Sequence, residues 1–557
     1  MSSPKMASIE SGLGVALEVA LDQWREILGQ QNVVLDPVGL RGAETATFAT
    51  AVTVPAILRP ANREQVQQVL RIANDCQVPV YPVSGGCNWG YGSRVPSASG
   101  SVLLDLGRMN RILDFSEDLA YITVEPGVTQ QQVYEFLRER KSGLWMDATG
   151  ASPRASLVGN TVERGFGHTP YGDHFSHVCG MEVVLPSGET LETGFSRFAG
   201  SRTGPLHRWG VGAYLDGLFT QSNLGVVTRM SIWLMPAPEY FQAYFFSCDS
   251  EAALAPIVEA LRPLRLNGTL RSTVHIANDY KVLSGLQHYP WEQAQGVTPL
   301  PVELMKRLRK ELHFGAWNAS GGLYGTRAQV AEARRLLRRA LSGKVDKLEF
   351  LDERKLRMAT RFSGLYRMLT GWDLRRALDL VRPLFGLLQG VPTDQPLAST
   401  YWRKRTPPPA TMNPDLDGCG LLWCSPVAPA TGAQATELVE LAGEILLRHG
   451  FEPAISLTMI TERSLACVIS ITYDRHVAGE DEKASACHKE LLSRLTDAGF
   501  YCYRMTSQTS QTSQTSQTSQ SSAGLKSNPG YDGVLRSLKR SLDPNGILAP
   551  GRYQSAE

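Results

Sequence analysis

The chain of 557 residues contains no run of 18 apolar residues, and its first two dozen positions hold no long apolar stretch. The first absence argues against a membrane span and the second against a signal peptide, so the expected location is cytoplasmic. Net charge is almost missing as well. Fifty-six Lys and Arg stand against 54 Asp and Glu, a balance of +2, which gives no global attraction for nucleic acid or an anionic membrane. Nine cysteines are an odd number, no two are in Cys-x-x-Cys spacing, and no histidine stands at zinc-ligand spacing from them. Adjacent Cys487 and His488 make a poor chelate. A zinc ribbon is therefore excluded, no metal site is expected, and the thiols read as inert groups in a reducing compartment.

Glycine and proline are plentiful, at 51 and 32 residues. They imply many turns and close backbone approaches rather than a helical bundle. The length allows two to four domains of about 150 residues. From Pro55 onward, short strands alternate with helices. Strands are expected at 56–60, 78–83, 102–106, 120–125 and 225–234, with a hairpin over 181–193. Asn62 reads as the N-cap of a helix carrying Val66, Val69, Leu70 and Ala73 at i, i+3, i+4 and i+7. Thr129 with Gln132 reads as a capping box for a helix ending near Arg140. Near residue 240 the pattern becomes α+β, with strands at 240–246, 316–324, 421–426, 455–458 and 466–473 between helices at 251–262, 327–342, 433–449 and 481–498. Residues 506–520 repeat Thr-Ser-Gln five times. Such a tract has no apolar face to bury and reads as a flexible insertion. A helical pattern resumes at Val534, Leu535, Leu538 and Leu542.

The glycines are concentrated in particular places. Pro82-Val83-Ser84-Gly85-Gly86-Cys87-Asn88-Trp89-Gly90-Tyr91-Gly92 follows a strand. It lacks Gly-x-Gly-x-x-Gly and no Gly-Lys-Ser/Thr follows it, so neither the Rossmann nor the P-loop reading holds. Densely spaced glycines still let backbone N–H groups turn inward around an anion, although an ordinary tight turn accounts for the segment equally well. Further segments of this kind are Val124-Glu125-Pro126-Gly127-Val128, the stretch from Leu157 to His174, and Gln221-Ser222-Asn223-Leu224-Gly225-Val226-Val227-Thr228.

In this order, and together with Cys179-Gly180-Met181-Glu182, Leu261-Arg262-Pro263-Leu264 and the closing segment from Asp543 to Arg552, these segments resemble the flavoproteins of the vanillyl-alcohol oxidase and p-cresol methylhydroxylase type. The resemblance runs from about Pro55 to Arg552. It implies an α+β fold in which a PCMH-type FAD-binding domain of two α/β subdomains, 51–238, is followed by an α+β cap, 239–499. A C-terminal segment, 500–557, returns to the FAD domain. Residues 1–50 are left as an N-terminal arm. The resemblance also implies FAD wrapped by Ser84, Gly85, Gly86, Cys87, Asn88 and Trp89. Pro126, Gly127, Asn160, Arg164, Gly165, Gly167, Tyr171, Gly225, Val227 and Arg552 would approach it as well. Arg164 is expected to oppose the charge of the reduced flavin. A homodimer is implied, with O₂ or an electron-transfer protein as acceptor.

By the same resemblance, Tyr91, Tyr503 and Arg504 hold a para-substituted phenol as its phenolate while hydride leaves the benzylic carbon. Two phenolic donors and a guanidinium in a dry pocket are what such chemistry needs. Three departures stand out. The position of a flavin-tethering His is Leu421, which implies non-covalent FAD, with Cys419 or Cys424 as remote alternatives for a tether. No Asp falls at 150–152, which carry Gly150, Ala151 and Ser152; Asp147 matches an earlier Asp of that motif. A cap His is replaced by Ala466-Cys467. These departures keep two further readings open: oxidation of a non-phenolic alcohol, amine or lactone, and a flavin-binding protein without turnover. The Thr-Ser-Gln tract follows Arg504 by one residue, which suggests a lid or docking arm.

Overall fold

A computed structural model describes residues 4–370, 374–507 and 528–553. Four strands form a first sheet in the order Val33–Val34, Ile57–Leu58, Val102–Asp105, Val80–Val83, the last three parallel. The helix Arg63–Asp75 packs against this sheet because Val66, Val69, Leu70 and Ala73 share one face and are fully buried. Its N-terminus is capped as the sequence predicts, with the Gln65 N–H donating to Asn62 Oδ1 at 2.9 Å. A second, five-stranded antiparallel sheet contains Ile112–Ser116, Tyr121–Val124, Val226–Trp233, Val178–Val184 and Thr190–Glu192. Thr129 and Gln132 complete the expected capping box on the helix Gln130–Glu139.

Residues 1–50, expected as an arm, contain the helix Pro4–Leu28. Ala20, Leu21, Trp24 and Leu28 lie on one face and are buried against the helix Arg63–Asp75 and the first sheet. Trp24 is fully buried, and its Nε1–H donates to the Val69 carbonyl at 3.2 Å. Helical spacing of these apolar residues carries the contact, which makes the segment part of the core.

An eight-stranded sheet is built entirely from residues 240–474. Its main order is Lys347–Leu351, Tyr240–Cys248, Trp317–Gly325, Val274–Asn278, Ala454–Met459, Ser464–Asp474, Cys419–Cys424, and Val427–Pro429 pairs with Ser464–Asp474 off this path. The sequence reading omits Lys347–Leu351 and Val274–Asn278. Both are only five residues long, and neither is set off by strong turn residues. Alternation along the strands gives the sheet two different faces. Ile276, Leu457, Ile469 and Leu422 point into a core shared with Ile257, Leu261, Leu438 and Leu491 of the covering helices. His275, Ala277, Ser456, Thr458, Val468 and Trp423 line a cavity on the other face.

After residue 528 the chain crosses back to the first sheet. The Val80 N–H donates to the Ile547 carbonyl, and the Ala549 N–H donates to the Val80 carbonyl, each at 2.8 Å. The helix Pro529–Leu542 anchors this return through Lys539. The Lys539 ammonium is buried, contacts Asp543 at 2.6 Å, and donates to the Asn223 and Leu548 carbonyls at 2.8 Å. Asp543 also accepts from the Ile547 and Leu548 amides. All nine cysteines are free thiols. Among the described residues, no helix is long and apolar enough to cross a membrane, and no group of three His, Cys, Asp or Glu could hold a metal ion. Residues 508–520 of the Thr-Ser-Gln tract lie outside the described residues.

Asp543→Ala leaves the Lys539 ammonium buried without its partner, a change that costs about 3–5 kcal/mol. The expected result is a lower melting temperature and earlier proteolytic cleavage C-terminal to the tract. Wild-type melting and cleavage would show that the Lys539 clip does not hold the return segment.

Candidate active site

A cavity of about 1710 Å³ lies between the first two sheets and the eight-stranded one. One wall is the turn that leaves the strand Val80–Val83. Ser84, Gly85, Gly86, Cys87, Asn88 and Trp89 all line it. Gly86 has φ +70°, and a Cβ there would meet the Arg94 side chain at 2.8 Å, so this turn requires glycine. Among the described residues, none of the backbone N–H groups of residues 85–89 donates to another protein group. Gly85 is exposed and Gly86, Cys87 and Asn88 are half-buried, so these amides are open to an acceptor in the cavity. Asn160, Gly165, Gly225, Val227 and Arg552 continue the wall. Unpaired amides on an elongated cavity, with no Lys on this turn, fit the pyrophosphate of a dinucleotide.

Five residues expected at the cofactor do not line the cavity. The Pro126 carbonyl accepts from the Ser156 hydroxyl at 2.6 Å. A Cβ at Gly127 would meet the Gly107 carbonyl at 2.6 Å. Arg164 has φ 52° and donates through Nε to the Thr220 hydroxyl at 3.2 Å. Gly167 is packed against the Asp147 carboxylate, and the Tyr171 ring stacks on His177 at 4.0 Å.

Tyr91, Tyr503 and Arg504, separated by more than 400 residues in sequence, meet at one end of the cavity. The strand–turn from Trp89 to Gly92 places Tyr91, and antiparallel pairing beside Pro426 places Tyr503, whose N–H donates to the Ser425 carbonyl at 3.1 Å. The Tyr91 hydroxyl lies 2.5 Å from Ser425 Oγ. The Arg504 guanidinium lies over the Tyr91 ring, 4.4 Å from its centre, and donates to Asn88 Oδ1 at 2.6 Å. Burial pushes both phenols above the ordinary tyrosine range, so both keep their protons at neutral pH and are available as donors. The Trp423 edge meets the Tyr91 ring at 5.3 Å, and the Phe166 ring lies 6.2 Å from Tyr503.

The sequence reading missed several residues of this site. Glu163, adjacent to Arg164, is a half-buried carboxylate on the cavity wall. Arg552 meets it at 3.0 Å, Arg504 at 3.5 Å, and the Tyr553 hydroxyl donates to it at 2.7 Å. His168 and His275 also line the cavity, with ring centres 4.4 Å apart. Burial holds both imidazoles below the usual histidine range, His275 well below, so both are neutral. A lone His in a polar strand carries too weak a pattern to single it out.

The three departures also have definite places. Leu421, Cys419 and Cys424 are buried and do not line the cavity. Gly150 and Ala151 do line it, while the Ser152 hydroxyl donates to Asp394 at 2.8 Å. A side chain on Gly150 would approach His168. Ala466 is paired with Thr458, and Thr458 with His275 on its other side. An imidazole therefore enters the same row of the sheet from a different strand.

A family profile described as an FAD binding domain matches residues 54–194. The chain is 43% identical to the 1'-carboxy-chondrochloren decarboxylase of Chondromyces crocatus, over 96% of this chain and 97% of that one. It is 33% identical to the flavoprotein subunit of 4-cresol dehydrogenase (hydroxylating) of Pseudomonas putida, over 96% and 94%. The structure superposes on p-cresol methylhydroxylase with substrate bound at a TM-score of 0.83 and 31% identity, covering 97% of this chain and 96% of that one. For 4-ethylphenol oxidase from Gulosibacter chungangensis, in complex with isoeugenol, the TM-score is 0.85 and the identity 29%, covering 97% of both chains. The unpaired amides, the cavity and full-length identity agree: the chain is an FAD-dependent oxidoreductase of the p-cresol methylhydroxylase and vanillyl-alcohol oxidase family.

Proposed function

We propose that the protein removes hydride from the benzylic carbon of a para-substituted phenol, of the 4-alkylphenol or 4-hydroxybenzyl type. The observation that carries this reading is the convergence of Tyr91, Tyr503 and Arg504 at one end of the cavity. Residues 51–238 with the C-terminal return are taken as the FAD-binding unit, and 239–499 as the cap. Bound FAD supplies the hydride acceptor.

The chain's own residues prepare the substrate. Two protonated tyrosines donate to the phenolic oxygen, and the Arg504 charge favours its ionised form. A phenolate pushes electrons through the ring, which stabilises the p-quinone methide left after hydride departure. Trp423 and Phe166 wall the clamp with apolar surface, which strengthens these interactions by excluding water. With no Asp at 150–152, neutral His168, whose Nδ1 faces the Ala148 carbonyl at 3.1 Å, is the group placed to accept a proton through Nε2 from water attacking the quinone methide.

A second reading of the outcome is favoured by the 43% identity to a protein named as a decarboxylase. In that case the quinone methide loses carbon dioxide from the carbon next to the benzylic position. The C–C bonding pair then forms a side-chain double bond and restores the aromatic phenolate.

Leu421 cannot form a bond to flavin, and neither Cys419 nor Cys424 reaches the cavity, so FAD is proposed to be held non-covalently. Cys87 does line the cavity, but burial pushes its thiol up to about 11, which disfavours the thiolate. Acid precipitation should leave the flavin in the supernatant; a yellow pellet contradicts this.

Anaerobic mixing with a panel of 4-alkylphenols and 4-hydroxybenzyl alcohols should bleach the flavin band. Arg504→Gln should slow that reduction about 10²- to 10³-fold, the usual effect of losing one charge-stabilising donor. Reduction at the wild-type rate would favour a non-phenolic substrate.

A further inference from the structure

Lys281 has no role in the chemistry described so far. It lies in the helix Asp279–Leu286, and its side chain lines the same cavity as Tyr503 and Arg504. Lys281 is half-buried, and together with Ser470, Trp423, Ser399 and Thr400 it also lines a side pocket of about 10 Å³ that shares residues with the main cavity. Its single protein hydrogen bond goes to the Ser470 hydroxyl, at 2.9 Å. Among the described residues no carboxylate pairs with it, and burial alone pushes it down to about 8. It therefore remains mostly charged at neutral pH.

A buried ammonium with donors to spare is costly unless an anion meets it. Three buried cations have such a partner, Lys539 in Asp543, Lys404 in Asp474 and Arg403 in Glu452, while buried Arg265 is met by three backbone carbonyls instead. Sheet register fixes where Lys281 stands relative to the clamp. Ser470 is the cross-strand partner of Trp423, and the Trp423 edge touches the Tyr91 ring. Lys281 thus faces the cavity one cross-strand pair away from the residue that walls the phenol clamp. The opposite rim points the same way. The lining residues Arg338, Lys347 and Lys355 are exposed, and among the described lining residues Glu349 is the one exposed carboxylate. An excess of positive charge at a mouth draws in anions.

We propose that the substrate's side chain carries a carboxylate, drawn in past the Arg338, Lys347 and Lys355 rim and received by the Lys281 ammonium beside Ser470. This rests on the phenol reading above and names the class within it: ω-(4-hydroxyphenyl)alkanoates and their substituted forms. Lys281 is here a specificity-determining residue that fixes one end of the substrate while the clamp fixes the other.

The test measures dissociation constants from flavin reduction under anaerobic conditions. The probes are 3-(4-hydroxyphenyl)propanoate, 4-(4-hydroxyphenyl)butanoate and uncharged 4-propylphenol. In the wild type at least one acid should bind more tightly than 4-propylphenol. Lys281→Met should erase that preference, shifting the ratio of the constants about 10- to 100-fold, as expected for one charge-assisted hydrogen bond. Lys281→Arg should restore part of it, which separates charge recognition from a packing defect. If Lys281→Met fails to load FAD, raising the salt concentration on the wild type must still weaken the acids relative to 4-propylphenol. An unchanged ratio in the variant, or wild-type preference for 4-propylphenol, overturns the inference and leaves the phenol reading intact. If none of the three probes reduces the flavin, the phenol reading itself fails and the inference falls with it.

Discussion

The half-buried carboxylate of Glu163 ties together the loop that carries it, Arg504 beside Tyr91 and Tyr503, and the C-terminal Arg552 and Tyr553. Burial pushes its pKa up, but Arg552 and Arg504 outweigh burial and hold it below the usual carboxylate range. One carboxylate facing two guanidiniums leaves positive charge over. That surplus lies on the cavity wall, partly shielded from solvent, where charges interact more strongly than on an open surface. Arg504 carries it to the phenol end, and Arg552 carries it along the cofactor wall. Arg552 also donates to the Met505 carbonyl at 3.2 Å, so the same network fixes the backbone just after the clamp. The site thus carries unbalanced positive charge, which the proposed phenolate would meet.

The parts of this arrangement legible in the sequence are those set by local rules. The cap at Asn62, the box at Thr129 and Gln132, and the helix burying Val66 to Ala73 follow from residue type and spacing alone. The Gly-rich turn at 84–92 was legible because only glycine tolerates its backbone at Gly86. The clamp became legible only through resemblance, since a Tyr-Arg pair and a turn tyrosine are common when read singly.

What stayed hidden depends on pairing across long sequence distances. Glu163 gains its meaning from Arg504 and Arg552, more than 300 residues away. His275 reaches the cavity only through its register with Thr458 and Ser320. Lys281 becomes notable because no carboxylate among the described residues pairs with it, a property no local pattern records. The helix at Pro4–Leu28 was passed over although Pro4 opens it and Gly29, at φ +81°, closes it, because its apolar residues lie outside the segments that carried the resemblance. The lost Asp and His positions show the same thing at the site. Gly150 and Ala466 vacate their places, while His168 and His275 bring imidazoles to the same face from elsewhere. In the eight-stranded sheet His275 stands in the same row as Ala466, with Thr458 between them.

The central claim is that the Tyr91, Tyr503 and Arg504 clamp binds its phenol in the ionised form. A chromogenic 4-substituted phenol bound to the oxidised protein tests this directly, with absorbance recorded at a pH below the free phenol's own pKa. The account predicts that the phenolate band appears on binding and is lost in Arg504→Gln. A bound phenol that keeps the spectrum of its protonated form throughout would contradict it.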